Sequence, residues 1–306
     1  MRTGIISDSD SLIPLVYTLA AQKLQVYLFY SASQDAFTNQ SVREFAGQNH
    51  IPMTEERNKD HDLYAWLNKG AFDICFVIGY RYLIKLNKIS RPIPVFNIHF
   101  GPLPSFRGPV PLFWQLKRGV EKIGLTIHRL TERFDDGPVV WMKEVNNQPH
   151  YNYKLVSRLF SQLCVEGVFF ILRLMMAGLP VPVIDRSSIV PAYQKRPGLN
   201  DVKINWQQMD ALAICNLVRA CNPWNKGAIC FFKNQEVKLM DAGLINPKEN
   251  QTGADAGSIV DDNECLRICC KDGKNLTVNM LFFQDSFVPA YQAKCLGFQR
   301  GDRFTE

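Results

Sequence analysis

The sequence predicts an α/β protein: a Rossmann-like domain with a mainly parallel sheet, followed by a small OB-like β-barrel. Three observations carry this expectation. Short apolar runs alternate with helical patterns over the opening third of the chain. A stretch without periodicity follows, PVPVIDRSSIVPAYQKRPGLNDVKI, punctuated by Pro180, Pro182, Pro191 and Pro197. Beyond it, brief strand-like runs come in quick succession between turn residues.

The first domain, residues 1–200 with a linker from about 180, opens with a strand at GIIS, Gly4 to Ser7. A helical pattern over Leu12 to Lys23 and a strand at LQVYLFY, Leu24 to Tyr30, come next. Helical patterns recur near Ser41 to Gln48 and over Asp62 to Lys69, ahead of strands FDICFVIGY (Phe72 to Tyr80) and PVFNIH (Pro94 to His99). Alternate strand residues share a face, so Asn97 and His99 project together while Phe96 and Ile98 face the other way. That pair stands directly before the turn GPLPSFRG, Gly101 to Gly108. IGLTIHRLTERFDDGPVV, Ile123 to Val140, reads as strand, turn and strand, with Asp136-Gly137 a hairpin-type turn by local rules.

The most apolar segment, Leu159 to Leu179, is interrupted by Glu166 and Arg173 and falls short of the ~20 apolar residues a bilayer span needs. It reads as a buried helix. The second domain, residues 201–306, begins with a helix over Gln207 to Cys221 that stops at Asn222-Pro223. Strands AICFFKN, EVKLMDAG, GSIVDD, LRICCKD and LTVNMLFF follow, with a loop at Asn246 to Gly257.

Composition narrows the function. Apolar residues at 46% and charged residues at 21% fit soluble globular domains, and 306 residues suggest two of them. A net charge of +6 permits phosphate-bearing ligands but falls short of a nucleic-acid signature. The first turn, SDSDS, is not GxGxxG, so a dinucleotide is unsupported. Nine cysteines form no CxxC pair, and Cys265, Cys269 and Cys270 lack a neighbouring His, which points to free thiols and no metal. Asp8 and Asp10 occupy the place where a signal peptide needs an apolar core, so a cytoplasmic protein without membrane attachment is expected.

Taken together, Asn97-x-His99, GPLPSFRG, the GLTIH run and Asp135-x-Gly137 resemble the folate-dependent formyltransferase family. That family includes methionyl-tRNA formyltransferase, glycinamide ribonucleotide transformylase and the enzymes that N-formylate nucleotide-linked amino sugars. GYRYLI, Gly79 to Ile84, and KINW…LVRACNPWNKGA, Lys203 to Ala228, extend the resemblance to nearly the whole chain. It implies a formyltransferase-type first domain, with Asn97, His99 and Asp135 as catalytic residues. It further implies 10-formyltetrahydrofolate as co-substrate, bound by Arg81, Tyr82, Leu83 and Asp136, with no metal. The family spacing Asp-x-Gly selects Asp135 over its neighbour Asp136.

The chemistry suits these residue types. A primary amine attacks the formyl carbon, and the resulting oxyanion needs donors, which Asn97 and His99 supply. His99 also handles a proton, and Asp135 is expected to orient the imidazole and favour its protonated form. Pro102, Arg107 and His128 stand on the acceptor side; Arg107 alternatively orders its loop, and His128 alternatively packs in the core. Gly101-Pro102 replaces the Ser-Leu common in the family, a change that reshapes the acceptor pocket, and Asn205 replaces an Asp.

The expected acceptor is a small-molecule amine, most of all a nucleotide-linked amino sugar, because GPLPSFRGPVPLFW and GLTIHRL resemble those enzymes. Transfer RNA is disfavoured: SASQDAFTNQSVREF has no Lys or Arg before Arg43, where the tRNA enzyme carries a basic insertion. An amino-acid amine in natural-product assembly and initiator methionyl-tRNA stay as alternative acceptors. A catalytically silent binding protein is the alternative outside enzymes. A homodimer is compatible with the sequence.

Overall fold

The computed structural model describes residues 1–245 and 253–306. The chain divides into two compact units. One comprises Met1–Pro111, Gly124–Val145 and Ser157–Gln194; the other comprises Leu112–Ile123, Asn146–Val156 and Lys195–Glu306.

The first unit is organised on seven strands: β1 (Arg2–Ser7), β2 (Gln25–Tyr30), β3 (Met53–Glu55), β4 (Ile74–Ile78), β5 (Val95–His99), β6 (Lys122–Arg129) and β7 (Val139–Asn146). Their order is β3-β2-β1-β4-β5-β6-β7. Strands β1 to β5 pair in parallel, whereas β6 runs antiparallel to β5, so the sheet is mixed and mostly parallel. Interleaved are α1 (Ile13–Ala21), α2 (Ala36–Gln48), α3 (Asp62–Lys69) and most of α5 (Tyr153–Met176); α4 (Pro111–Lys117) belongs almost wholly to the other unit.

β1 and β4 are buried at nearly every position, which explains their continuous apolar runs: a strand covered on both faces has no polar side to show. Ile6, Phe29, Leu67, Cys75, Val77 and Val95 form one core cluster. α3 spans the expected residues, but α2 starts well before Ser41, because the Asp35 carboxylate accepts from the Phe37 and Thr38 amides and caps it there. β3 was not expected; at three residues it is too short to show an alternation.

α5 is the helix expected over the apolar segment, but it is buried on one face only. Val156, Phe160, Cys164, Val168 and Leu172, each four apart, form a buried stripe, while Glu166, Phe170, Arg173 and Met176 are exposed. By length and composition alone this helix is apolar enough to cross a membrane. The single buried stripe is the pattern of a helix packed by one face.

The second unit holds α6 (Leu199–Val202), α7 (Ala211–Cys221) and strands β8 (Ala228–Phe232), β9 (Gln235–Leu244), β10 (Ile259–Asp261), β11 (Leu266–Cys269), β12 (Asn275–Phe283), β13 (Ser286–Pro289) and β14 (Phe304–Thr305). They form an antiparallel sheet in the order β10-β11-β12-β9-β8-β14, with β13 pairing β12. Phe232, Phe298 and Phe304 stack in its core, with Phe232 and Phe298 centroids 4.2 Å apart. α7 starts at Ala211 rather than Gln207, because the Asp210 side chain accepts from the Ala213 amide and caps it. β13 and β14 were not expected, being short and flanked by turns. The expected loop from Asn246 lies mostly outside the described residues.

Candidate active site

The site grows from the pairing of β5 with β6. Asn97 lies opposite His128, and His99 lies opposite Thr126. Residues directly opposite across antiparallel strands share a face, so this register gathers four polar side chains on one face. Phe96 and Ile98, on the other face, are buried. Thr126 was missed in the sequence, although its i,i+2 relation to His128 places the two together. Its buried hydroxyl donates to the Gly101 carbonyl at 2.5 Å and accepts from the Leu103 amide at 3.1 Å, tying down the turn after His99.

The connection from β6 to β7 delivers the carboxylate. Arg129 N–H donates to the Pro138 carbonyl at 2.9 Å, and Asp135 adopts the left-handed conformation, φ 51°, which Asp tolerates. A Cβ at Gly137 would overlap the Arg129 carbonyl, so only glycine fits there. That is the physical content of the Asp-x-Gly spacing. Asp135 Oδ1 lies 3.3 Å from Asn97 Nδ2, 3.4 Å from His99 Nδ1 and 3.7 Å from His128 Nε2, and its Oδ2 accepts from the Gly108 amide at 2.9 Å. Asp136 turns instead to Arg107 Nη2 at 2.7 Å and Arg133 Nη1 at 4.0 Å.

Hydrogen-bond logic sets the protons. His128 Nδ1 is 2.9 Å from the Arg129 carbonyl, which can only accept, so Nδ1 carries the hydrogen. The bare Nε2 then accepts from the Asn97 amide at 3.0 Å. By the same argument His99 Nε2 donates to the Phe106 carbonyl at 2.6 Å, leaving Nδ1 toward Asp135.

Burial pushes the His99 pKa below its ordinary value, outweighing Asp135 and the Phe106 carbonyl, which push it up. Asp135 favours the protonated imidazole, as expected, but desolvation is the larger influence and the net shift is downward. Burial pushes Asp135 upward, but His99, His128 and the Gly108 amide together hold its carboxyl below the usual range. The resting site pairs an ionised carboxylate with a neutral imidazole. Their 3.4 Å separation exceeds a good hydrogen bond, as expected of two lone-pair atoms with no proton between them.

The remaining candidates fall around this centre. Arg81, Tyr82 and Leu83 lie in the irregular connection after β4. β4 is the parallel neighbour of β5, so this connection leaves the same sheet edge that carries His99. Arg81 Nε donates to Asp8 Oδ2 at 2.9 Å and Nη2 to the Ala32 carbonyl at 2.7 Å, joining the segments after β1, β2 and β4. The Tyr82 ring packs edge-on against Tyr80 and carries Lys59 Nζ 4.3 Å from its centroid. Pro102 is buried beside Gly124. Arg107 exchanges backbone bonds with Ala192 and Gln194, at 3.0 and 2.7 Å. Among the described residues no group of three or more His, Cys, Asp or Glu side chains could hold a metal.

Comparison with known proteins places the chain in a family. Residues 8–165 match the formyl transferase family and residues 199–285 match the formyl transferase C-terminal domain. The chain belongs to the formyl transferase family, as an N-formyltransferase enzyme. Methionyl-tRNA formyltransferase of Flavobacterium johnsoniae is 26% identical over 240 residues, covering 76% of this chain and 74% of that protein. In fold, the chain is similar to WlaRD, a sugar 3N-formyl transferase solved with dTDP and 5-N-formyl-THF: TM-score 0.71, 16% identity, 91% of this chain and 97% of that one. It is also similar to HypX from Aquifex aeolicus in complex with tetrahydrofolic acid: TM-score 0.68, 18% identity, all of this chain and 51% of that one.

Proposed function

We propose that the protein transfers the formyl group of 10-formyltetrahydrofolate to the primary amine of a nucleotide-linked amino sugar. The observation that carries the reaction is the convergence of Asn97, His99 and His128 on one oxygen of Asp135 at the end of β5. A folate donor is supported by the 5-N-formyl-THF and tetrahydrofolate in the two structurally similar proteins. Arg81, Tyr82 and Leu83, at the same sheet edge, are the residues proposed to line its site. The second unit is read as an OB-like barrel.

The amine nitrogen attacks the formyl carbon, forming a C–N bond and an oxyanion. Collapse of that centre breaks the bond to the folate nitrogen, and the proton lost by the amine ends on that nitrogen. His99 enters neutral and accepts the proton at Nδ1, the atom that faces Asp135. The imidazolium so formed is stabilised by the carboxylate on one side and the Phe106 carbonyl on the other. Asn97 spends one amide hydrogen on His128 at 3.0 Å; the other reaches Asp135 at a loose 3.3 Å and turns to the oxyanion as charge develops. His128 acts here as a positioning residue: it selects which end of the Asn97 amide faces the reacting centre.

The amino-sugar acceptor is favoured by the dTDP in the structurally similar sugar enzyme and by the Arg107 and Arg133 guanidiniums beside Asp136, a net positive patch for a diphosphate. The test is competition among amino-sugar nucleotides, hydroxyornithine-like amines and initiator methionyl-tRNA, with products read by mass spectrometry. Preferential formylation of the tRNA or of the amino-acid amine overturns the acceptor.

A further inference from the structure

The outer face of α5 has no part in this chemistry and leaves apolar side chains exposed among the described residues. Around it runs a groove of about 430 Å³ lined by Trp141, Glu166, Phe170, Arg173, Leu174 and Leu179. Phe170 is 38% exposed, Met176 66% and, just past the helix end, Leu179 54%, a concentration of apolar surface at this end of α5. The segment after the helix adds exposed Val183 and Ile184, and the Ile184 amide donates to the Val139 carbonyl at the start of edge strand β7. Within this apolar face stand one acid, Glu166, and one base, Arg173. Glu166 meets Lys143 at 3.1 Å; Arg173 has no ion-pair partner among the described residues.

We propose that this face binds a second copy of the chain, with the two α5 helices crossing antiparallel about a two-fold axis near Phe169 and Phe170. Glu166 and Arg173 are seven residues apart, two helical turns, so they lie on the same side about 10 Å from each other along the axis. A two-fold midway between them brings Glu166 of each copy to Arg173 of the other and sets Phe170 at the centre. The self-complementary charge pattern singles out this occupant. Lys143 already meets Glu166, so what a second copy adds is a carboxylate for Arg173, which has no ion-pair partner among the described residues. The helix face from Glu166 to Met176, about 15 Å long and 10 Å wide, is small against a standard interface, so the dimer belongs to the weak, concentration-dependent class.

The experiment is sedimentation velocity of the full chain over a wide concentration range, for wild type and for two single variants, Arg173→Glu and Glu166→Arg. The wild type is expected to dimerise reversibly. Each variant alone places like charges across the axis twice and is expected to stay monomeric, with unchanged circular dichroism and formyl transfer. Mixed in equal amounts, the two variants form opposite pairs at both contacts, and a heterodimer is expected to return. A wild type that is monomeric throughout, a dimer that survives in Arg173→Glu, or variants that fail to associate on mixing overturns the proposal. Co-sedimentation of monomer with anionic vesicles would overturn it in favour of a lipid surface.

Discussion

Replacing Asp135 by Asn changes almost no volume and removes one charge from the centre of the site. Asp135 now accepts on both sides, from Asn97 at 3.3 Å through Oδ1 and from the Gly108 amide at 2.9 Å through Oδ2. An Asn in its place must turn its amide nitrogen toward one of these donors, and a buried donor left facing a donor costs about 1–3 kcal/mol. The larger loss falls in the transition state. A unit charge pair at the 3.4 Å separating Asp135 from His99 is worth at most ~5 kcal/mol at an effective dielectric near 20. The neutral variant loses that stabilisation of the imidazolium, and kcat is expected to fall by about 10² to 10⁴. The sign of the pH effect is also set. Asp135 pushes the His99 pKa up against burial, so its removal lets burial drive that pKa lower, and the acid limb of kcat/KM moves to lower pH. Steady-state release of tetrahydrofolate across the neutral range, alongside circular dichroism, reads both effects. A near-normal kcat in a folded variant, or an acid limb moved to higher pH, refutes the reasoning.

Asp136→Asn removes an ion pair with Arg107 outside the centre, so its rate loss is expected to stay under about tenfold; a loss larger than that of Asp135→Asn would reverse the assignment of the two aspartates. Thr126→Val removes the anchor of the Gly101 carbonyl and Leu103 amide, and chemical denaturation is expected to show a loss of about 1–3 kcal/mol. His99 has a folded pKa depressed below 6.5, so the unfolded chain binds the extra proton as pH falls through that value. Wild-type stability should therefore decline on acidification below that pH, and His99→Gln should flatten the decline; equal slopes would contradict the buried neutral imidazole.

Much of the site was legible because its determinants are local. Strand alternation alone put Asn97 and His99 on one face, and the Asp-x-Gly spacing reflects a left-handed aspartate beside a glycine whose Cβ has no room. What escaped depends on contacts distant in sequence. That His128 opposes Asn97 is set by the β5–β6 register, and the lowered His99 pKa follows from burial that no spacing reports. The same holds for the fold. β1 and β4 stood out as apolar runs, while β3, β13 and β14 are two to four residues long and exist through their neighbours. α5 was read by composition as a buried helix; its sequence period separates a buried stripe from an outer face with charges, a distinction that composition erases.

The most direct test of the central claim is a single-turnover experiment with enzyme in excess over formyl-labelled 10-formyltetrahydrofolate, in the presence of an amino-sugar nucleotide. The account predicts that the label appears in an N-formyl amide of the sugar, with one tetrahydrofolate released per amide and neither formed at comparable rate by Asp135→Asn. Label recovered as formate, at a rate indifferent to the amine, would show that the site hydrolyses its folate rather than transferring the formyl group.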